Sequence, residues 1–147
     1  MKLTNILSLD CTQSSVQANS KKRALELISE IAATQIDLAP NQIFECLLNR
    51  EKMGSTGIGQ GIAIPHGRIQ NDQQPTAVFI RCEQAIGFDS IDSQPVDLLF
   101  ALLVPEDQCK EHLSTLAEIA KKLNDKSTCK ALRHAKSDAE LYEIMVA

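Results

Sequence analysis

His66 is the residue best placed to do chemistry in this 147-residue sequence. It stands between Pro65 and Gly67 in "REKMGSTGIGQGIAIPHGR", Arg50 to Arg68, a stretch that takes five of the chain's six glycines. An imidazole with an ordinary pKa near ~6.5 is mostly a free nucleophile at neutral pH. Attack on a phosphoryl group through one ring nitrogen gives a phosphoramidate, whose labile P–N bond lets the group move on to another acceptor. Such a transfer asks little of the protein beyond positioning and charge stabilisation. Pro65 restricts the backbone just before the nucleophile, and Gly67 is expected to leave room for a partner just after it. Arg50 offers a planar fork matched to phosphate oxygens.

The glycines need their own explanation. A dinucleotide fingerprint requires G-x-G-x-x-G after a strand and opening a helix. Here Gly57, Gly59 and Gly61 are spaced G-x-G-x-G, a charged helical segment precedes them, and Pro65 blocks a helix afterwards. The GK[ST] ending of a phosphate loop is absent. What remains is a segment whose backbone can approach a ligand closely because side chains are missing. Its N–H groups around Gly57, with the hydroxyls of Ser55 and Thr56, would form an anion-holding concavity. The plain alternative is a helix-to-strand connection with several positive-φ turns, and the adjacent Arg50 and His66 tilt the choice toward the concavity.

A second histidine, His112, is expected in the first turn of a helix that follows a buried strand. Strand ends and helix N-termini of this kind favour anionic ligands. If Val104 ends its strand at the same edge as Ile64, His112 and His66 face each other, one carrying the phosphoryl group and the other donating a hydrogen bond to it. Two readings stay open at His112: this one, and an amphipathic-helix histidine without a role. His134 reads as a surface residue near a helix C-terminus. Cys109, His112 and His66 are zinc-ligand types, but no pair-plus-pair spacing supports a metal site. A hydrolase built on Ser55 or Thr56 with His66 lacks the G-x-S-x-G elbow.

The elements that must position these groups follow from the hydrophobic pattern. Ser20 is a natural N-cap for a helix from about Lys21 to Gln35, with Ala24, Leu25, Ile28, Ile31 and Ala32 on one face. Pro40 suits the first position of a second helix that buries Ile43, Phe44, Leu47 and Leu48, carries Arg50 in its last turn and stops at Gly54. "IAI", Ile62 to Ile64, is a short strand that Pro65 ends or places at an edge. "TAVFIRC", Thr76 to Cys82, is a further strand. "VDLLFALLV", Val96 to Val104, is apolar almost throughout, as a strand covered on both faces must be. A long helix from about Cys109 to Asn124 follows, then two shorter ones, the last opened by the capping box "SDAE" at Ser137 to Glu140. The expected fold is a single α/β domain over residues 1–147, a mixed sheet flanked by helices.

Composition narrows the function classes. A net charge of −4, from 15 basic and 19 acidic residues, argues against nucleic acid as the main partner. The one dense basic run, Lys21-Lys22-Arg23, reads as a solvated helix start. No apolar run approaches the ~20 residues that span a bilayer, and "MKLTNILSLD" lacks a signal-peptide core. Five scattered cysteines without a CxxC pair read as reduced thiols of a cytoplasmic protein, with Cys46 and Cys82 as small core residues.

The long motif around Pro65 and His66 closely resembles the active-site signature of enzyme IIA domains of the bacterial phosphoenolpyruvate-dependent phosphotransferase system, in the mannitol/fructose-type superfamily. "FDSIDSQPVDLLFALLVPEDQCKEHLSTLAEIAKKL" resembles the second signature of that family, and the resemblance runs from "LTNILSLDC" to "ELYEIM". "SKKRALELISEIAA" and "QPVDLLFALLVP" are most similar to its nitrogen-regulatory branch, IIA-Ntr. The resemblance implies that His66 is the phosphorylated nucleophile, that His112 supports it and that Arg50 stabilises the phosphate. It implies further that Thr56 and the Gly57 loop line the pocket, beside the Ser55 of the concavity reading, and that attachment is through the tele nitrogen, a choice the sequence itself does not make. The implied fold is the mannitol-type IIA fold, with no cofactor and no metal. The implied donor is a phosphorylated HPr-like carrier, NPr in the nitrogen branch, charged by enzyme I. Regulatory partners such as potassium-transport and sensor-kinase proteins are implied as well. Because the sequence stops at Ala147 with no IIB domain and no membrane segment, a regulatory role is expected, with transfer from His66 to a separate sugar-transport IIB domain as the alternative.

Overall fold

Strand β6, Val96–Pro105, is the axis of the molecule, and every residue in it except Asp97 is buried. The structure is a computed structural model that describes residues 2–147. Unbroken apolar sequence is what a strand needs when helices or loops cover both of its faces. β5, Thr76–Ile86, runs antiparallel to it with Phe79 opposite Phe100, their rings 5.6 Å apart. β1, Thr12–Val16, pairs parallel with the outer side of β5. On the other side of β6 lie β3, Ile62–Ala63, and β4, His66–Ile69, both parallel to it. β2, Gly57–Gly59, closes that edge antiparallel to β3. The result is a mixed six-stranded sheet.

β3 and β4 are one strand interrupted. Ile62 pairs with Leu98, Ala63 with Leu99, His66 with Leu102 and Gly67 with Leu103, so the register against β6 is unchanged across the gap. Pro65 makes the gap because it has no N–H to donate, yet its carbonyl still accepts from Leu102 N at 2.9 Å. The sequence reading ended the strand at Ile64. It missed that His66 re-enters the sheet and so sits on rigid backbone. β2 and β3 form a tight hairpin whose central residues Gln60 and Gly61 have φ of 58° and 80°, the positive values a type I′ turn requires.

The first two helices pack against each other and on the sheet. α1, Lys21–Ala32, starts where its N-cap demands: the Ser20 side chain accepts from Arg23 N at 3.1 Å. It stops three residues short of Gln35, and the chain continues in turns. α2, Pro40–Glu51, has Pro40 at its first turn and buries Ile43 and Leu47, whereas Phe44 and Leu48 are only half-buried. α2 packs on β4 and α1, and α1 packs on β5. α3, Leu113–Asn124, begins four residues later than the expected Cys109, because Glu106–Gln108 forms a short 3-10 turn first. His112 is therefore the N-cap residue of α3 rather than part of its first turn. α4, Lys126–His134, and α5, Asp138–Val146, complete the chain, with α5 against β1. Ser137 caps α5 through Glu140 N, while the Glu140 carboxylate reaches Lys136 N instead of closing the box. Among the described residues, no helix is long and apolar enough to cross a membrane.

β1 was invisible to hydrophobic patterning because its inward positions carry hydroxyls. Thr12, Ser14 and Val16 are buried, and Gln13 and Ser15 are exposed. Thr12 Oγ1 donates to Ser8 O at 3.0 Å, and Ser14 donates to Asp138 Oδ1 through both its N–H and its hydroxyl at 2.7 Å. Buried polar groups satisfied in this way cost little.

Candidate functional site

The return of His66 to the sheet decides its geometry. Side chains alternate along a strand, so His66 and Arg68 point to one face of β4 while Gly67 and Ile69 are buried on the other. α2 lies close behind this strand. A Cβ on Gly67 would stand 3.1 Å from the carbonyl carbon and oxygen of Cys46 and 3.2 Å from its Cβ. The space expected at Gly67 for a docking partner is filled by the protein's own helix. The missing side chain lets α2 approach, and Arg50 comes within reach of His66.

The His66 ring is held at both nitrogens. Nδ1 lies 3.0 Å from Ile64 O. A carbonyl only accepts, so Nδ1 carries the proton and Nε2 of the neutral ring carries the lone pair. Arg50 Nε donates to that Nε2 at 3.2 Å, and its Nη1 donates to Gly54 O at 2.8 Å. The imidazole pKa lies below its ordinary value. Burial is the main cause; the Ile64 carbonyl opposes it, the Arg50 charge adds to it and Glu51 counteracts it. The ring is thus uncharged and nucleophilic at neutral pH, with Nε2 as the nitrogen free of a proton.

His66, Arg50 and His112 line one cleft of about 530 Å³, together with Arg68, Cys46 and Leu102 among others. The parallel pairing of β4 with β6 puts His66 and Val104 toward the same edge, and the chain then turns back to bring His112 in from α3. His112 is 2% exposed, and neither ring nitrogen has a hydrogen-bond partner. An imidazole with both nitrogens buried and unpaired is costly unless something arrives to use them. Met53 and Leu113, 83% and 64% exposed, also line the cleft and give its mouth an apolar rim. Cys46 is half-buried in the cleft wall rather than in the core, and burial raises its thiol pKa, keeping it protonated beside the imidazole.

Ser55, Thr56 and Gly57 are not in this cleft. Ser55 Oγ donates to Phe88 O at 2.7 Å, and Gly57 N donates back to Ser55 Oγ at 3.0 Å. Thr56 donates through its N–H, at 3.0 and 3.2 Å, and through its hydroxyl to the Glu51 carboxylate. Those donors are spent inside the protein, and none of them lines the cleft that holds His66. Gly57 is glycine for another reason: a Cβ there would collide with the Ser90 side chain. Sequence reasoning missed Arg68, which period-two alternation from His66 would have placed on the same face. It also missed Glu51, whose burial no local signal announces. His134 is exposed at the end of α4, as expected. Among the described residues, no group of three or more His, Cys, Asp or Glu side chains is placed to hold a metal ion.

A neutral nucleophilic nitrogen, a guanidinium bonded to it and an unpaired imidazole lining the same cleft suit the acceptance of a small, highly charged electrophile. Comparison with known proteins points the same way. The family model described as "Phosphoenolpyruvate-dependent sugar phosphotransferase system, EIIA 2" matches residues 5–147. The chain is 58% identical over 146 residues to the nitrogen regulatory protein of Escherichia coli K12, spanning 99% of this chain and 90% of that protein. The crystal structure of nitrogen regulatory protein IIA-Ntr from Neisseria meningitidis superposes with a TM-score of 0.93 at 41% identity, covering 97% of this chain and 98% of that one. The crystal structure of IIA mannitol from Escherichia coli shares the fold, with a TM-score of 0.70 at 20% identity over 99% of this chain and 98% of that one.

Proposed function

Because this chain belongs to the EIIA 2 family of the phosphoenolpyruvate-dependent sugar phosphotransferase system, we propose that it is a phosphoryl carrier of the nitrogen-regulatory kind, accepting the group on His66 Nε2. The observation that carries this reading is the bond from Nδ1–H to Ile64 O, which leaves Nε2 as the lone-pair nitrogen in the cleft. The donor is a phosphorylated HPr-like carrier, NPr, itself charged through enzyme I. It docks on the apolar rim of Met53 and Leu113. As it approaches, Arg50 turns its donors from Nε2 to the phosphoryl oxygens, whose charge draws a guanidinium more strongly than a neutral ring does. The Nε2 lone pair then attacks phosphorus and the donor's P–N bond breaks. Nδ1 keeps its proton and goes on donating it in the hydrogen bond to Ile64 O, and the unpaired His112 ring donates to the transferred group.

The output is regulatory and cytoplasmic. A doubly negative group on an otherwise apolar face bars partners by repulsion and desolvation, so proteins such as potassium transporters or sensor kinases would distinguish the two states. The identities, 58% to a nitrogen regulatory protein against 31% to a fructose-specific EIIA component of Haloferax volcanii, support this reading over transfer to a sugar-transport IIB domain.

The test is intact-mass measurement after mixing the protein with phosphoenolpyruvate, enzyme I and the HPr-like carrier. One phosphate should be gained and then lost in mild acid, and His66→Ala should gain none. Full labelling of His66→Ala would refute the assignment.

A further inference from the structure

Glu51 ends α2, next in sequence to Arg50, and its side chain is only 2% exposed. Lys21 Nζ, from the first turn of α1, pairs with it at 2.6 Å, while Thr56 supplies its N–H and its hydroxyl. A buried ion pair must overcome the desolvation of both charges and is a weak source of stability. Its presence beside the site therefore asks for another reason.

The geometry supplies one. The Glu51 carboxylate closes the loop from residue 51 to residue 56 on itself. Inside that loop Gly54, at φ 146°, presents the carbonyl that receives Arg50 Nη1, while Arg50 Nε reaches His66 Nε2. The loop is also tied outward. Ser55 Oγ donates to Phe88 O, and Lys21 lies 3.4 Å from the same carbonyl and 4.7 Å above the Phe88 ring. Lys21 has a second effect. An unpaired carboxylate so close to Arg50 would compete with the cleft for the guanidinium, and the ammonium occupies it instead.

We propose that Glu51, held by Lys21 and Thr56, is a positioning residue: it fixes the loop so that the Gly54 carbonyl aims the Arg50 guanidinium at the reactive nitrogen of His66. The inference rests on the reading of His66 as phosphoacceptor. An arginine side chain has many rotamers, and a fork anchored at one point is already oriented when the phosphoryl group arrives.

Two readouts test it on the full chain. The Arg50 Nε–H resonance, followed by nitrogen-15 NMR, should exchange slowly with water in the native protein and rapidly in Glu51→Gln. Phosphorylation by the charged HPr-like carrier should lose about tenfold in limiting rate, with the donor KM unchanged because the docking rim is untouched. Thr56→Val should show the same pattern and Thr56→Ser should restore both readouts, a rescue that simple loosening of the fold would not produce. Native exchange protection together with a native rate in Glu51→Gln would overturn the proposal. If that variant does not fold, the same result in Thr56→Val would overturn it. Should the native protein take no phosphate at all, the phosphoacceptor reading fails, and the Arg50 exchange measurement still decides the positioning role.

Discussion

Gly67→Ala tests the contact on which the site's construction depends. The added methyl would meet the Cys46 carbonyl carbon and oxygen at 3.1 Å and the Cys46 Cβ at 3.2 Å. Ordinary contact is several tenths of an ångström longer, and two of the three atoms are helix backbone, so relief requires α2 itself to move away from β4. Overpacking of this kind costs about 1–3 kcal/mol. The alanine recovers roughly 0.4–1 kcal/mol by restricting the unfolded chain, leaving a net loss of up to about 2.6 kcal/mol and ~1 kcal/mol at the centre of the range. For a chain of this size ~1 kcal/mol lowers Tm by about 2–4 °C. The functional consequence should exceed the thermal one. The Arg50–His66 bond, 3.2 Å long, is already near the limit of a hydrogen bond, and a further few tenths would break it. Misplacement of a positioning group by ~1 Å costs up to about a hundredfold in rate, so a loss of about tenfold is expected here. Differential scanning calorimetry and phosphorylation kinetics with the HPr-like carrier would measure both. An unchanged Tm with an unchanged rate would show that α2 is not held at the distance the structure gives.

Three further outcomes are expected. Arg50→Lys should slow phosphorylation by at least about tenfold, because a point charge cannot reproduce the bidentate fork; native kinetics would remove Arg50 from the site. His112→Phe should hold or raise stability by up to ~1 kcal/mol in urea unfolding, since two unpaired buried nitrogens are replaced by carbon, while transfer slows; an unaffected rate would leave His112 without a role. Finally, the lowered pKa of His66 means that the unfolded chain binds more protons than the folded one between the folded pKa and ~6.5. This contribution to stability is complete above ~6.5 and is lost as pH falls through the folded pKa; His66→Gln should flatten that part of the stability–pH curve, as measured by urea unfolding across roughly pH 4.5–7.5, a window that brackets the ordinary imidazole value.

Local chemistry made much of this molecule legible in its sequence. Ser20 and Pro40 announced two helix starts, unbroken apolarity marked β6 as the central strand, and the neighbours of His66 singled it out as the proposed nucleophile. Those signals are short-range, because caps, proline geometry and burial patterns act within a few residues. The hydroxyl-lined β1 and the glycine strand β2 carry no such signal, and β4 was hidden by Pro65, which reads as a terminus although the register continues past it. Only the tertiary structure decided where side chains point. Thr56 has the composition of an anion ligand but spends its donors on Glu51, and Gly67 makes room for a helix instead of a partner. Glu51 looks like a solvated helix end and is buried against a lysine thirty positions upstream. A side chain's type states what bonds it can make; which bonds it does make depends on residues distant in sequence that packing brings within about 3 Å.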